Sequence, residues 1–265
     1  MSLFQKLFPK RPLIACIHLQ PLPGAPRYQG RVEAVYETAA REARLFEQCG
    51  VDGLIVENFR DVPFYPDRLP AETVASMAVA TRTVVEAVSI LVGVNALRND
   101  APASLGIAAA AGATFIRVNV HIGAAVSDQG ILQGRAHETL RRRAQLRSEV
   151  LIFADADVKH AAPLGARTLA DEVSDLSERA LADAIIISGT GTGARTSTSD
   201  LQTARRHTSL PILVGSGATP GNLAQLSPLA DGFIVGSTFK KDGRADNPVD
   251  EGRVVEFVRA FREIN

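Results

Sequence analysis

The sequence predicts a single (β/α)8 barrel, and three observations support this prediction. Apolar runs of strand length alternate with amphipathic segments of helix length along the 265 residues, as parallel strands joined by crossover helices require. Eight such units fit the roughly 250 residues that this barrel typically takes. Similar short sequences also recur at every second predicted strand, at 50–56, 111–117, 182–187 and 230–235. This recurrence indicates a repeated two-strand unit.

The predicted elements follow one another in regular order. Strands are expected at 13–19, 53–57, 90–95, 115–120, 150–155, 184–188, 212–215 and 233–236. Helices are expected near 31–49, 71–88, 101–111, 135–147, 168–181, 200–207, 220–226 and 250–262. The competing architecture is an open doubly wound sheet, but no Gly-x-Gly-x-x-Gly segment follows the first strand.

Residues 1–265 are predicted to form one domain, because no shift in composition and no Ser-rich or Pro-rich linker divides the chain. Residues 1–12 are expected to contain a short helix that closes the barrel floor through Phe4, Leu7 and Phe8. A membrane-surface anchor is the alternative interpretation of this stretch.

Charge and composition exclude several classes of protein. The 29 Lys and Arg residues balance 29 Asp and Glu residues, so we expect no nucleic-acid partner. The longest uncharged run of mainly apolar residues, between Asp100 and Arg117, is shorter than the roughly 18 residues of a transmembrane segment. The charged N-terminus lacks a signal-peptide core, and Cys16 and Cys49 cannot form a disulfide framework. We therefore expect a cytoplasmic protein with buried, reduced thiols.

Strand periodicity predicts a polar site at the carboxyl ends of the strands, where barrels of this kind hold their active sites. Ile116, Val118 and Val120 share an apolar face of the fourth strand, so the residues between them should point inward. The same alternation applies to strands one, two, three and five. The candidate catalytic residues are His18, Glu57, Arg117, His121 and Asp155, and candidate substrate contacts are Asn95, Asn119 and Asp157.

Two uses of these residues remain open at this stage. Arg117 and Asp155 lie on neighbouring predicted strands, and they form either a neutralised buried pair or part of a reactive site. The carboxylates and imidazoles suit acid–base catalysis, and they also suit a divalent metal. For a metal, the candidate ligands are Glu57, Asp155 and His121; the sequence requires no cofactor.

Glycine-rich loops after the last three strands predict a phosphate site. Glycine allows backbone N–H groups to approach a ligand closely, and barrels of this kind often bind phosphate after strands seven and eight. A short helix capped by Thr219, with Pro220 in its first turn, should add an N-terminus that favours anions. Ordinary tight turns are the alternative. The candidate phosphate contacts are Gly191, Gly193, Gly215, Ser216, Gly217, Gly236 and Ser237.

Three longer loops are predicted to cover the mouth of the barrel. These loops span 59–70, 121–134 and 159–167, and the first of them carries Phe64 and Tyr65. Loops of this length in a compact barrel are usually functional.

Several long motifs give the chain a family resemblance. They are His18-Leu-Gln-Pro-Leu-Pro-Gly24, Asp52-Gly-Leu-Ile-Val-Glu-Asn-Phe59, Gly93-Val-Asn-Ala-Leu-Arg-Asn-Asp100, Phe115-Ile-Arg-Val-Asn-Val120 and Ala154-Asp155 followed by Lys159-His160. With these motifs in order, the chain resembles the BtpA/SgcQ family. The resemblance implies a barrel similar to the ribulose-phosphate-binding TIM barrels, and it connects the family with photosystem I biogenesis and with predicted sugar metabolism. It also adds Arg98, Asp100 and Lys159 as anion or substrate contacts.

Two functions follow from these expectations. The first is an enzyme, a hydrolase, lyase or isomerase, that uses acid–base catalysis on a sugar phosphate, nucleotide or ribosyl compound. The second is a non-catalytic assembly or stability factor of the photosystem I biogenesis kind. Inward-facing charges favour the enzyme, because a scaffold has little reason to remove charges from water. Whether the chain forms a homo-oligomer stays open.

Overall fold

The computed structural model describes residues 2–158, 160–189, 191 and 193–264. The strands in these ranges are β1 (Leu13–His18), β2 (Gly53–Glu57), β3 (Leu91–Asn95), β4 (Phe115–Val118), β5 (Ala124–Ser127), β6 (Gly130–Gln133), β7 (Leu151–Ala156), β8 (Ala161–Pro163), β9 (Ala184–Ile187), β10 (Ile212–Val214) and β11 (Gly232–Val235). Eight of these strands run parallel and close into a barrel in the order β1-β11-β10-β9-β7-β4-β3-β2. The predicted (β/α)8 barrel is confirmed.

Helices separate the barrel strands along the chain. They are α1 (Leu3–Leu7), α2 (Val32–Gln48), α3 (Ala71–Ala87), α4 (Ala101–Ala111), α5 (Ala136–Gln145), α6 (Leu169–Glu178), α7 (Thr198–His207), α8 (Leu223–Leu226) and α9 (Glu251–Glu263). Local signals place several of their ends. Asp100 accepts a hydrogen bond from the first turn of α4, and Gly112 ends that helix with a left-handed φ of 83°, which glycine adopts without strain. No helix in the described ranges has the length and apolar character needed to span a bilayer.

The barrel interior is packed with apolar side chains below the strand tips. Phe115 on β4 and Phe153 on β7 stack with their ring centroids 4.7 Å apart. Phe4 of α1 lies 5.7 Å from Phe153, and Phe8 lies 6.2 Å from Phe115. The aromatic cluster therefore fills the lower part of the interior, so polar side chains can gather only toward the carboxyl ends of the strands.

A small antiparallel sheet replaces two of the predicted loops. β5 pairs with β6 and also with β8, in the order β6-β5-β8. β4 ends at Val118, two residues before the predicted end of that strand, and the chain then enters this sheet. Sequence periodicity does not predict the pairing, because β5 and β8 come from two different connections between barrel strands.

Candidate functional site

A cavity of about 500 Å³ opens at the carboxyl ends of the barrel strands. Its floor carries polar side chains from the tips of the first four strands, and its rim carries loops that follow the strands. Of the sequence-predicted site residues, the cavity is lined by His18, Glu57, Asn95, Arg98, Arg117, Asn119, Gly193, Gly215, Ser216, Gly217, Gly236 and Ser237. Strand periodicity and the glycine loops thus brought most of the predicted site to one place.

Glu57 lies at the centre of the polar floor and is buried. Its Oε1 accepts a hydrogen bond of 3.1 Å from Asn95 Nδ2 and lies 3.6 Å from Nη1 of Arg117. Its Oε2 lies 3.8 Å from Nε2 of His18. One carboxylate oxygen therefore faces a cation and the other faces an imidazole.

His18 is oriented by a backbone group and by an aromatic ring. Its Nδ1 lies 3.3 Å from the carbonyl oxygen of Ala245, and because a carbonyl only accepts, this nitrogen carries the proton in that contact. The ring stacks on Phe59 with centroids 4.1 Å apart and an interplanar angle of 14°. Nε2 therefore faces the Glu57 carboxylate, and because 3.8 Å is longer than a hydrogen bond, a proton would pass between the two groups through a ligand atom or a water between them.

Asp155 holds Arg117 in place from behind the cavity. Arg117 donates from Nε to Oδ2 of Asp155 at 2.9 Å and from Nη2 to Oδ1 at 2.8 Å. Burial alone would lower the pKa of Arg117, but the Asp155 carboxylate and Glu57 raise it above its usual value. Asp155 does not line the cavity. This position argues against the predicted use of Asp155 as base or nucleophile and gives it a positioning role.

Arg98 brings a second positive charge to the cavity from the loop after β3. It is buried, and its backbone N–H donates to the carbonyl of Tyr65 at 3.1 Å. Burial lowers the pKa of Arg98, while the charge of Asp155 opposes that effect. A guanidinium remains charged in proteins, so Arg98 fits its predicted place as an anion contact.

Two glycines after β10 pack so closely against neighbouring residues at the cavity edge that no side chain fits there. A Cβ at Gly215 would lie 2.4 Å from Ile186 Cγ2, and one at Gly217, whose φ is 67°, would lie 2.3 Å from the carbonyl oxygen of Ala194. Ser216 Oγ accepts from the Gly189 N–H at 2.8 Å. Ser216 thus ties the loop after β9 to the end of β10, and glycine is required beside it.

Two details of the predicted phosphate site differ in the structure. The short helix after β10 begins at Leu223 with Asn222 as its N-cap, because Asn222 bonds back to Thr219 N and to Gly217 O. The predicted N-cap at Thr219 is therefore wrong. Gly191 lies beside His160, with a Cβ position 3.3 Å from that ring, and does not line the cavity.

Three other predicted residues lie away from the cavity, and a fourth, Lys159, falls outside the described residues. His121 Nε2 contacts the carbonyl of Ala180 at 3.1 Å, and burial lowers the pKa of His121 to about 4. The prediction that His121 points into the barrel is wrong, because β4 ends at Val118, before this residue. Asp100 caps α4 and accepts from Leu69 N. Asp157 follows the end of β7 with a φ of 52° and is exposed.

The predicted metal ligands do not come together, since His121 lies apart from Glu57 and Asp155 lies behind Arg117. Cys16, His18 and Glu57 form a different group whose ligand atoms all lie within 4.8 Å of one another. Thiolate, imidazole and carboxylate together suit a transition metal. The Arg117 guanidinium, 3.6 Å from Glu57, opposes a further positive charge there. The electrostatics favour Glu57 as a paired carboxylate.

Several cavity residues were missing from the predicted site. Cys16 shares the inward face of β1 with His18, so strand periodicity could have included it. Asp128 and Gln129 reach the cavity from the β5–β6 turn, which depends on a sheet that the sequence pattern did not reveal. Val62, Phe64 and Leu97 form an apolar wall of the cavity, and Phe59 also lines the cavity. Of the two predicted lid aromatics, Phe64 lines the cavity, whereas Tyr65 is 52% exposed and does not.

The barrel is similar to several solved enzyme structures. Because the sequence identities are low, this similarity establishes the fold alone. Tryptophan synthase from Mycobacterium tuberculosis matches with a TM-score of 0.63 and 17% identity over 98% of each chain. Phosphoribosyl anthranilate isomerase from Thermus thermophilus matches with a TM-score of 0.59 and 12% identity over 96% of this chain and 100% of that chain.

Sequence relatives cover almost the whole chain. An uncharacterized protein of Pyrococcus furiosus is 46% identical over 95% of both chains. The photosystem I biogenesis protein BtpA of Synechocystis is 44% identical over 99% of this chain and 92% of that protein. The family model of the BtpA family matches residues 9–263. The chain belongs to the BtpA family.

Proposed function

We propose that the protein is an enzyme that binds a phosphorylated small molecule in the cavity and moves a proton through Glu57 and His18. The observation that carries this proposal is the meeting of two kinds of surface in one cavity. The glycine edge at β10 and β11 lies beside a buried group made of His18, Glu57 and Arg117.

The glycine edge is the proposed phosphate seat. Backbone atoms at Gly217 and Gly236 border the cavity, and N–H groups at such a position bind anions without a charged side chain. The N–H of Gly215 donates to the carbonyl of Ile187 at 2.8 Å, so Gly215 contributes room rather than a donor. Ser237 adds a hydroxyl at the same edge. Because α8 begins only at Leu223, the loop backbone rather than a helix end would supply the donors.

The buried group is the proposed reaction centre. Glu57 accepts a proton from the ligand, and His18 shares this proton or returns it to the ligand. Arg117 stabilises negative charge that develops on the ligand. Arg117 can do so because Asp155 fixes it through two hydrogen bonds. Asn95 holds the Glu57 carboxylate in its orientation through Oε1.

A thermal-shift screen with inorganic phosphate, sugar phosphates and nucleotides tests this proposal. A ligand present at 100 times its Kd should stabilise the protein by about 2.7 kcal/mol. We expect Ser237→Asp to abolish the stabilisation by placing a carboxylate at the seat. Ser209→Asp is the matched control, because Ser209 is exposed and lies away from the cavity. Unchanged midpoints with every phosphorylated compound would contradict the phosphate seat.

The similarity to the Synechocystis BtpA protein supports a second candidate, an assembly or stability factor. Val126 on β5 and Ile131 on β6 form a directly opposed pair and are 44% and 61% exposed. An exposed apolar pair on a small sheet suits contact with a protein partner. If Ile131→Asp removes a co-purifying partner while ligand binding is unchanged, this second function is supported. A cytoplasmic location and self-association also stay predictions.

A further inference from the structure

We infer that the ligand of this cavity is a sugar phosphate bearing a planar, apolar group at the end away from its phosphate, as in a nucleoside 5′-monophosphate. This inference rests on the proposed function and specifies its substrate class. Three features of the cavity support it: an apolar wall, an unsatisfied buried acceptor on a residue that lines the cavity, and the position of the wall and the glycine edge on opposite strands of the ring.

The apolar wall and the glycine edge lie on opposite sides of the mouth. In the closed ring of strands, β3 is four positions from β10 in either direction. Leu97 follows β3, and Val62 and Phe64 lie in the loop after the neighbouring β2, whereas Gly215 and Gly217 follow β10. A ligand that reaches both sides must therefore cross the mouth.

The wall is apolar where it meets the cavity. Leu97 is 5% exposed and still lines the cavity, while Val62 and Phe64 are partly exposed in the same space. A purely polar ligand end would remove water from these side chains without matching them, whereas an apolar ring gains from contact with them. Specificity for a planar group follows most directly from the Phe64 ring.

Asn119 lines the cavity, and its side-chain oxygen is covered and has no hydrogen-bond partner among the described residues. Asn119 Nδ2 donates to Oδ2 of Asp155 at 2.8 Å, and because a carboxylate accepts, this contact fixes the orientation of the amide. Asn119 Oδ1 is then a buried acceptor with no partner among the described residues. Buried acceptors are normally satisfied, and a sugar hydroxyl would supply the missing donor once binding turns the amide oxygen of Asn119 toward the cavity.

The size of the cavity agrees with a ligand that has all three parts. Its volume of about 500 Å³ lies within the range of roughly 300–1,000 Å³ that is typical of pockets for small-molecule ligands. A sugar phosphate alone would satisfy the glycine edge and Asn119 but leave the wall in contact with water. An unphosphorylated aromatic compound would leave the glycine edge unused.

Isothermal titration with ribose 5-phosphate, adenosine and the 5′-monophosphates of adenosine, guanosine, cytidine and uridine tests the inference. We expect at least one nucleotide to bind about tenfold or more tightly than ribose 5-phosphate, because the base covers the wall. Phe64→Ala should reduce this ratio to near one and leave the Kd of ribose 5-phosphate within about twofold. Tyr65→Ala is the matched control, since the neighbouring exposed ring should leave both affinities unchanged.

The outcomes separate the inference from the function on which it rests. The inferred planar group is wrong if ribose 5-phosphate binds as tightly as every nucleotide, or if Phe64→Ala leaves the ratio of the nucleotide and ribose 5-phosphate affinities unchanged. Neither result would contradict the proposed phosphate seat. If adenosine binds as tightly as its monophosphate, the phosphate seat itself is wrong. If none of these compounds binds, both proposals fail.

Discussion

Arg117 on β4 and Asp155 on β7 form a bidentate pair across two neighbouring barrel strands, with hydrogen bonds of 2.9 and 2.8 Å. Both side chains are almost completely buried. The pairing leaves Nη1 of Arg117 directed toward Glu57, 3.6 Å away. Asp155 therefore acts on the cavity through Arg117, and the consequences of losing it differ from those of losing a catalytic carboxylate.

Asp155→Asn should destabilise the protein by about 3–5 kcal/mol, because the substitution removes the closer counter-charge of a buried guanidinium and leaves only Glu57, 3.6 Å away. Urea denaturation measures this loss. Glu86→Gln is the matched control, because Glu86 pairs with Arg82 on the exposed face of α3 and should cost less than about 0.5 kcal/mol. A full-stability Asp155→Asn protein would show that Arg117 does not depend on this pair.

Glu57→Gln should leave ligand binding within a few-fold of the original and reduce turnover by roughly 10²–10⁴. The amide retains the shape and an acceptor for Asn95 but cannot take up a proton. The measurement compares calorimetric affinity with single-turnover rate for whichever phosphorylated compound binds in the screen. Equal loss of both quantities would instead make Glu57 a binding residue.

His121 should make the protein less stable as the pH falls from about 6.5 toward 4. Burial lowers its folded-state pKa to about 4 from the ordinary histidine value of about 6.5, so the unfolded state binds more protons in this window and the folded state loses stability there. The loss should reach about 3 kcal/mol at pH 4.

His121→Gln tests this assignment, since its amide can still donate to the Ala180 carbonyl but does not titrate. Denaturation curves measured between pH 7 and 4 should be flatter for the variant than for the original protein. Parallel curves for the two proteins would show that another group causes the pH dependence.

Chelation should not change the affinity for the phosphorylated ligand, because the positive charge of Arg117 already neutralises Glu57. Calorimetry with and without EDTA makes the comparison. Affinity that is lost with EDTA, restored by Zn²⁺ and abolished in Cys16→Ala but not in Cys49→Ala would contradict this expectation and place a metal among Cys16, His18 and Glu57.

Strand periodicity predicted the centre of the site because side chains on a strand alternate strictly. Glu57, Asn95 and Arg117 lie within or at the ends of regular strands, so their direction follows from counting residues. The same counting failed for His121 and Asp157, since β4 ends at Val118 and β7 ends at Ala156. Beyond the last ladder hydrogen bond, the backbone no longer imposes a period of two.

The alternation of apolar strands and amphipathic helices was sufficient to predict the barrel, because this pattern admits few other packings. It also determined which strand tips carry polar groups. Three relationships appear only in the folded chain: Asp155 pairs with Arg117, β5 pairs with β8, and Leu97 and Gly217, from opposite strands of the ring, line one cavity. These relationships join residues far apart in the chain, and their geometry depends on how the barrel closes rather than on any local pattern.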